Sequence, residues 1–313
     1  MLTEIERRTG KPVAEIFDLV AGTSTGGILA LALTMRGEDG GPAWSAEQLL
    51  ALYEEEGDRI FERSVWDRIR SAGGLLDEKY PSDGMEQAFR TYLGEARLSE
   101  ALTEVLVTAY EIEQRTTFFF KSAKARTDPR DDFALRDAAR ATSAAPTYFE
   151  PVRIERGGPR PYLALVDGGV FANNPAMCAY AEALKDNTGA PPPQRPAHPK
   201  EILLLSLGTG ELTRALPYDE AKDWGLAEWA KPILDVVFDG VSDATDHHLE
   251  QILGRDHYFR FQTRLDRAND DMDDASPQNI HMLKQEAEQL LKEEGDRFEA
   301  LFAQLARPNQ TPH

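Results

Sequence analysis

Short apolar runs that end at glycine alternate along this chain with stretches at helical spacing. Residues Ile16–Ala21 read as a strand stopped by Gly22, and the Ala- and Leu-rich stretch Gly27–Met35 reads as the helix that follows. From Ser45 to Leu93 the pattern is helical and charged. Ser45 and Gln48 have the spacing of a capping box, and Leu49, Leu52 and Tyr53 form an apolar stripe behind it. Val105–Ile112 and the aromatic Thr116–Phe120 read as two strands of a hairpin turning at Glu113–Arg115. Leu135–Ala145 is an Ala-rich helix ended by Pro146. Tyr162–Val166 is a strand stopped by Asp167-Gly168-Gly169, and Pro175–Leu184 is a helix with proline in its first turn. The proline-rich stretch 189–199 reads as a rigid surface loop. Ile202–Leu207 is a wholly apolar strand, 218–253 is helical with a break near Pro232, and His257–Gln262 reads as one more strand. A last helix starts at Ser276-Pro277 and carries a core-facing stripe from Leu283 to Leu305.

Strands that are apolar at every position suggest burial on both faces, as in a parallel sheet flanked by helices. No internal repeat or linker interrupts the alternation. The pattern therefore predicts a single α/β domain over residues 1–313, a three-layer sandwich with a mostly parallel central sheet. Its 313 residues, 41% hydrophobic and 28% charged, exclude global disorder. The 54 acidic against 35 basic side chains give a net charge of −19, which excludes nucleic acid as a partner and offers no attraction to anionic membranes. The single cysteine, Cys178, makes no internal disulfide, the N-terminus has no apolar leader pattern, and the longest apolar run, Ile28–Leu33, is too short to span a bilayer. A soluble, cytoplasmic protein is expected.

The candidate chemistry starts at Gly22-Thr-Ser-Thr-Gly26, a G-x-S-x-G motif between a strand and a helix, the setting of a nucleophile elbow. Ser24 would project from the strand end toward the helix N-terminus, and the Thr25 amide would serve as oxyanion donor, with Gly22 and Gly26 allowing the turn. The alternative is a glycine-tightened β–α turn with a solvated serine. A serine nucleophile needs a base. Asp167, at the end of a strand and before Gly168-Gly169, would reach the same sheet edge as the elbow if the strands run parallel. Its alternative is an Asx-turn capping its own glycines. None of the six histidines (His198, His247, His248, His257, His281, His313) has the placement after a late strand that a Ser-Asp-His hydrolase requires. No Cys/His cluster has zinc spacing, and the acidic run Asp266–Asp274 lacks the spacing of an EF-hand loop.

Four segments together resemble the patatin-like phospholipases, or lipid acyl hydrolases. They are Phe17–Gly27, Ala141-Thr-Ser-Ala-Ala-Pro-Thr-Tyr-Phe149, Val166-Asp-Gly-Gly-Val-Phe-Ala-Asn-Asn-Pro175 and Leu205-Ser-Leu-Gly-Thr-Gly210. They stand in the family's order and cover residues 1 to about 210, which gives a family core over 1–215 and leaves 216–313 as a variable, mainly helical part. The resemblance implies a Ser–Asp dyad: Ser24 matches the nucleophile and Asp167 the base, with no metal or cofactor. It implies a fatty-acyl ester of a phospholipid or related lipid as substrate, an acyl-enzyme intermediate and transient contact with a membrane surface. Partial desolvation is expected to raise the basicity of Asp167. The family also carries a glycine-rich Asp-Gly-Gly-Gly-x-Arg-Gly segment before the elbow that shapes the oxyanion hole. The 23 residues before Ser24 hold no such segment. The first strand and the hole it helps to shape are therefore expected to be missing, and a lost oxyanion donor costs about 10²–10³ in rate. A Ser-Asp-His esterase of α/β-hydrolase type, and a catalytically impaired patatin fold used as a binding module, stay open as other readings.

Overall fold

The computed structural model describes residues 1–60, 83–146, 148–185, 201–211, 215–229, 232–269, 274 and 276–306. The proline-rich stretch 189–199, His198 and His313 lie outside them, as does the middle of the helical stretch Ser45–Leu93. The described residues fall into two compact units, one of residues 2–171 with 275–277, the other of Met1, 172–274 and 278–313.

The first unit opens with helices α1 (Leu2–Thr9) and α2 (Val13–Ile16), strand β1 (Leu19–Gly22) and helix α3 (Thr25–Thr34). Helices α4 (Ala46–Ile60) and α5 (Asp83–Leu93) precede the hairpin β2 (Glu104–Glu111) and β3 (Thr116–Lys121). Helices α6 (Ser122–Ala125) and α7 (Leu135–Thr142) and strands β4 (Val152–Glu155) and β5 (Tyr162–Asp167) complete it. Local chemistry explains several starts. Ser45 and Gln48 form the capping box: the Gln48 amide donates to Ser45 Oγ at 3.1 Å, and the Ser45 amide to Gln48 Oε1 at 2.8 Å. Glu6 on α1 accepts from the first amides of two other helices, Val13 at 3.0 Å and Ala46 at 2.8 Å. One carboxylate thus satisfies an orphan donor at each of two helix N-termini.

The α/β class and helix-flanked sheet are as expected, but the sheet is mixed. Only β1 runs parallel to β2, whereas β3 and β5 pair with β2, and β4 with β5, antiparallel. The connections account for β2–β3 and β4–β5. β2–β3 and β4–β5 are joined by four and six residues, and a parallel pair needs a crossover of a dozen or more. Among the described residues β1 pairs with β2 alone. The core gathers on β2, where Val105, Leu106, Val107, Thr108 and Ala109 are all buried, and α3 and α7 pack across β1, β2 and β5. Phe118 and Phe120 meet Phe133 edge to face in this core, so these two rings of the aromatic strand serve packing.

Helix α8 (Gly169–Ala172) leads from one unit into the other. The second unit holds α9 (Ala176–Ala183), the parallel pair β6 (Leu204–Leu207) and β7 (Tyr258–Phe261), the short α10 (Tyr218–Ala221) and α11 (Leu226–Trp229), and the long α12 (Pro232–Leu253). Two helices, α13 (Pro277–Glu293) and α14 (Gly295–Leu305), stand where one was expected, divided where Glu294 leaves helical geometry (φ −95°, ψ 20°) before Gly295. Their predicted stripe is core: Leu290, Phe298 and Leu301 are buried, and Phe298 stacks on Phe261 at 3.9 Å. A polar network holds this unit together. Asn174 Nδ2 donates to Asp246 at 2.8 Å, Asp246 pairs with Arg260 at 3.0 Å, and Arg260 donates to Ser206 at 3.0 Å. No helix among the described residues is long and apolar enough to cross a membrane.

Candidate active site

Strand β1 ends at Gly22 and helix α3 begins at Thr25, so the chain reverses within Thr23 and Ser24. Ser24 takes the strain of that reversal, with φ 54° and ψ −126°, a region that costs a non-glycine residue about 1–3 kcal/mol. A glycine is required at position 22, where a Cβ would lie 2.0 Å from the Gly26 carbonyl oxygen. Gly26 itself faces open space. The Ser24 amide donates to Thr142 Oγ1 at 2.9 Å, and the Ser24 carbonyl accepts from Ile28 at 3.0 Å. With the Ser24 amide committed, the Thr25 amide is the next elbow donor, in the first turn of α3 where N–H groups have no acceptor inside the helix. Burial pushes the Tyr53 phenol up, against the pull of the Thr25 side chain.

Asp167 reaches this elbow by a route the apolar pattern did not indicate. Strand β2 pairs with β3 along one edge over Leu106–Glu111. On its other edge it pairs first with β1, over Glu104–Val107, and then with β5, over Ala109–Glu111. β1 and β5 thus share one edge of β2 and approach each other from opposite ends. Gly22 stops opposite Val107 and Asp167 stops opposite Ala109, leaving Thr108 between the two strand ends. The expected parallel strands would have brought the two ends together side by side; here they meet head on.

At this junction the Ser24 side chain interacts with the Asp167 carboxylate and pulls its pKa down. Asp167 is 3% exposed, and its pKa is pushed up to about 6 by burial, against the opposing pull of Ser24 and of the bond from the Gly169 amide. The Gly169 bond, 2.7 Å to Oδ1, is the Asx-turn of the alternative reading. That turn is present, and the same carboxylate also interacts with Ser24. Gly168 is required by its surroundings, since a Cβ there would lie 2.0 Å from Thr108 Oγ1. The arrangement places a buried carboxylate of raised basicity on a serine hydroxyl at a helix N-terminus, which suits transfer of the hydroxyl proton to the carboxylate.

Three threonines escaped the sequence reading. Thr23 Oγ1 lies 2.7 Å from Thr108 Oγ1, and Thr108 and Thr142 are fully buried. The signal for Thr108 is a hydroxyl in an otherwise apolar strand, Val105–Ala109, because a buried polar group must find a partner. Of the described histidines, His257 bonds the Ile202 carbonyl at 3.1 Å and His281 bonds Gln285. Among the described residues no histidine hydrogen-bonds Ser24 or Asp167.

The family model described as patatin-like phospholipase matches residues 2–180. Patatin-like protein 4 of Arabidopsis thaliana is 30% identical over 93% of this chain and 77% of its own length. Patatin-17 of Solanum cardiophyllum is 32% identical over the same shares, and a probable inactive patatin-3-Kuras 1 of Solanum tuberosum is 31% identical over 93% and 79%.

Proposed function

Since this chain belongs to the patatin-like phospholipase family, we propose that it hydrolyses fatty-acyl esters of phospholipids or related lipids with Ser24 as nucleophile and Asp167 as general base. The meeting of the strained Ser24 elbow with the buried Asp167 carboxylate at the two strand ends, where Ser24 acts on the Asp167 pKa, carries this reading. The two compact units act as one catalytic domain, a reading supported by a family match that runs across their boundary at residues 171 and 172.

The reaction follows from the geometry. Asp167 takes the Ser24 proton as Oγ bonds to the acyl carbonyl carbon, and negative charge grows on the carbonyl oxygen. The Thr25 amide and the N-terminus of α3 stabilise that charge. The carbonyl re-forms, the C–O bond to the lipid alcohol breaks, and the proton on Asp167 passes to the leaving oxygen. Water, deprotonated by Asp167, then attacks the acyl-Ser24 ester. The Ser24 oxygen leaves with that proton, releasing a fatty acid and restoring the dyad. Exposed apolar side chains at Tyr218, Leu226 and Ile233, set among Asp219, Glu220, Asp223 and Glu228, suit transient contact with a zwitterionic rather than an anionic lipid surface.

The test is Ser24→Ala and Asp167→Ala against a p-nitrophenyl ester and a phospholipid. Both variants should lose hydrolysis of both substrates, and retained activity in the pair would end this reading. A second reading, a binding module without turnover, is favoured by one observation, the relative named as probably inactive. It predicts a folded protein whose Ser24 does not react with a fluorophosphonate.

A further inference from the structure

We propose that Thr108 is the positioning residue that holds the Ser24 hydroxyl against the Asp167 carboxylate. This rests on the Ser24–Asp167 reading and names what sustains that pair. Thr108 is the β2 residue between the end of β1, opposite Val107, and the end of β5, opposite Ala109. Its fully buried side chain touches both strand ends. Oγ1 is 2.7 Å from the hydroxyl of Thr23, the residue before the nucleophile. On the other side, Oγ1 and Cβ fill the space a side chain at Gly168, the residue after the base, would take, 2.0 and 2.5 Å from its Cβ position.

Each remaining anchor holds one partner, Thr142 and Ala144 doing so from a single segment. Thr142 fixes the Ser24 amide at 2.9 Å, Gly169 fixes Asp167 Oδ1 at 2.7 Å, and the Ala144 carbonyl accepts from the Asp167 amide at 3.0 Å. Thr108 is the side chain that references one strand end to the other. A buried hydroxyl pair also has directionality that apolar packing lacks, because moving Thr23 away would break its bond to Thr108. The separation of nucleophile and base is therefore set by the Thr23–Thr108 bond on one side and by the close fit of Gly168 on the other.

Thr108→Val keeps the shape and deletes the hydroxyl; Thr108→Ser keeps the hydroxyl. Ester hydrolysis is measured against pH for wild type, both variants, Thr23→Val and Ser24→Ala, with circular dichroism confirming folding. The Val variant should lose on the order of 10–100-fold in kcat with KM within about twofold. The acid limb of its kcat/KM profile should move to higher pH, because Asp167 loses the Ser24 interaction that favours its ionised form. Thr108→Ser should recover most of the rate. Thr23→Val should reproduce the Val phenotype from the other partner, and it serves in its place if Thr108→Val does not fold. A Val or Thr23→Val variant with wild-type rate and profile overturns the proposal, as does equal impairment of Val and Ser, which means packing alone. Wild-type hydrolysis by Ser24→Ala overturns it too, by removing the dyad on which it rests, and that result is distinct from any on the Thr108 arm.

Discussion

Asp167 is stabilised as a neutral acid by its burial, and the dyad needs it ionised. Its pKa, about 6 in the folded chain, stands above the ordinary 3.8. The folded state therefore binds this proton more tightly than the unfolded one. Stability from this group is present in full below pH 3.8 and is lost as pH rises through about 6; at pH 8 the ionised carboxylate costs the fold about 3 kcal/mol. Asp167→Asn should raise the melting temperature at pH 8 relative to wild type, with the gain shrinking toward pH 4, as scanning calorimetry would read. The same ionisation governs turnover. kcat/KM for a neutral ester should fall below about pH 6 with unit slope and reach a plateau above it. A flat profile between pH 5 and 7 would remove Asp167 as the base. Fold and function thus pull this residue in opposite directions, as expected where a site stores strain that the surrounding structure must hold.

Among the elements, the strand–elbow–helix unit depends on close approach more than on contact area. Gly22→Ala would drive a Cβ to 2.0 Å from the Gly26 carbonyl and should abolish activity and lower stability by more than the roughly 0.5–1 kcal/mol of an ordinary Gly–Ala difference. The capping box at α4 is a milder case: Ser45→Ala should cost about 1 kcal/mol in denaturant melts and leave the pH profile unchanged. The elements themselves were readable from the chain. Apolar runs marked β2, β5, β6 and β7 because buried strands need apolar residues on both faces, and the glycines at 22 and 168 marked where strands stop. Strand direction was not readable. A run such as Tyr162–Val166 has the same pattern whichever way it enters the sheet, so the head-on meeting of β1 and β5 at Thr108 needed the three-dimensional register. Thr108 and Thr142 were hidden for a related reason. Their partners lie 85 and 118 residues away, and no local spacing encodes such a pair. Ser24 and Asp167, by contrast, were visible because each sits in a local glycine context that its geometry demands.

For the molecule as a whole, charge sets which lipid surfaces are accessible. A net charge of −19 repels anionic headgroups over about a Debye length, roughly 8 Å at physiological ionic strength. Hydrolysis of a phospholipid in zwitterionic vesicles should exceed that in vesicles rich in phosphatidylserine, and added salt should narrow the gap. Equal rates at low salt would show that a local patch overrides the average field. All of this rests on one pair of side chains, and reaction with a fluorophosphonate, located by peptide mass spectrometry, tests that pair most directly. The dyad predicts modification of the wild-type chain at Ser24 alone, and labelling slowed at least 100-fold in folded Asp167→Asn at pH 8, consistent with removal of a base that activates the nucleophile. Labelling at wild-type rate in Asp167→Asn, or no labelling of Ser24 in the folded wild-type protein, would contradict it.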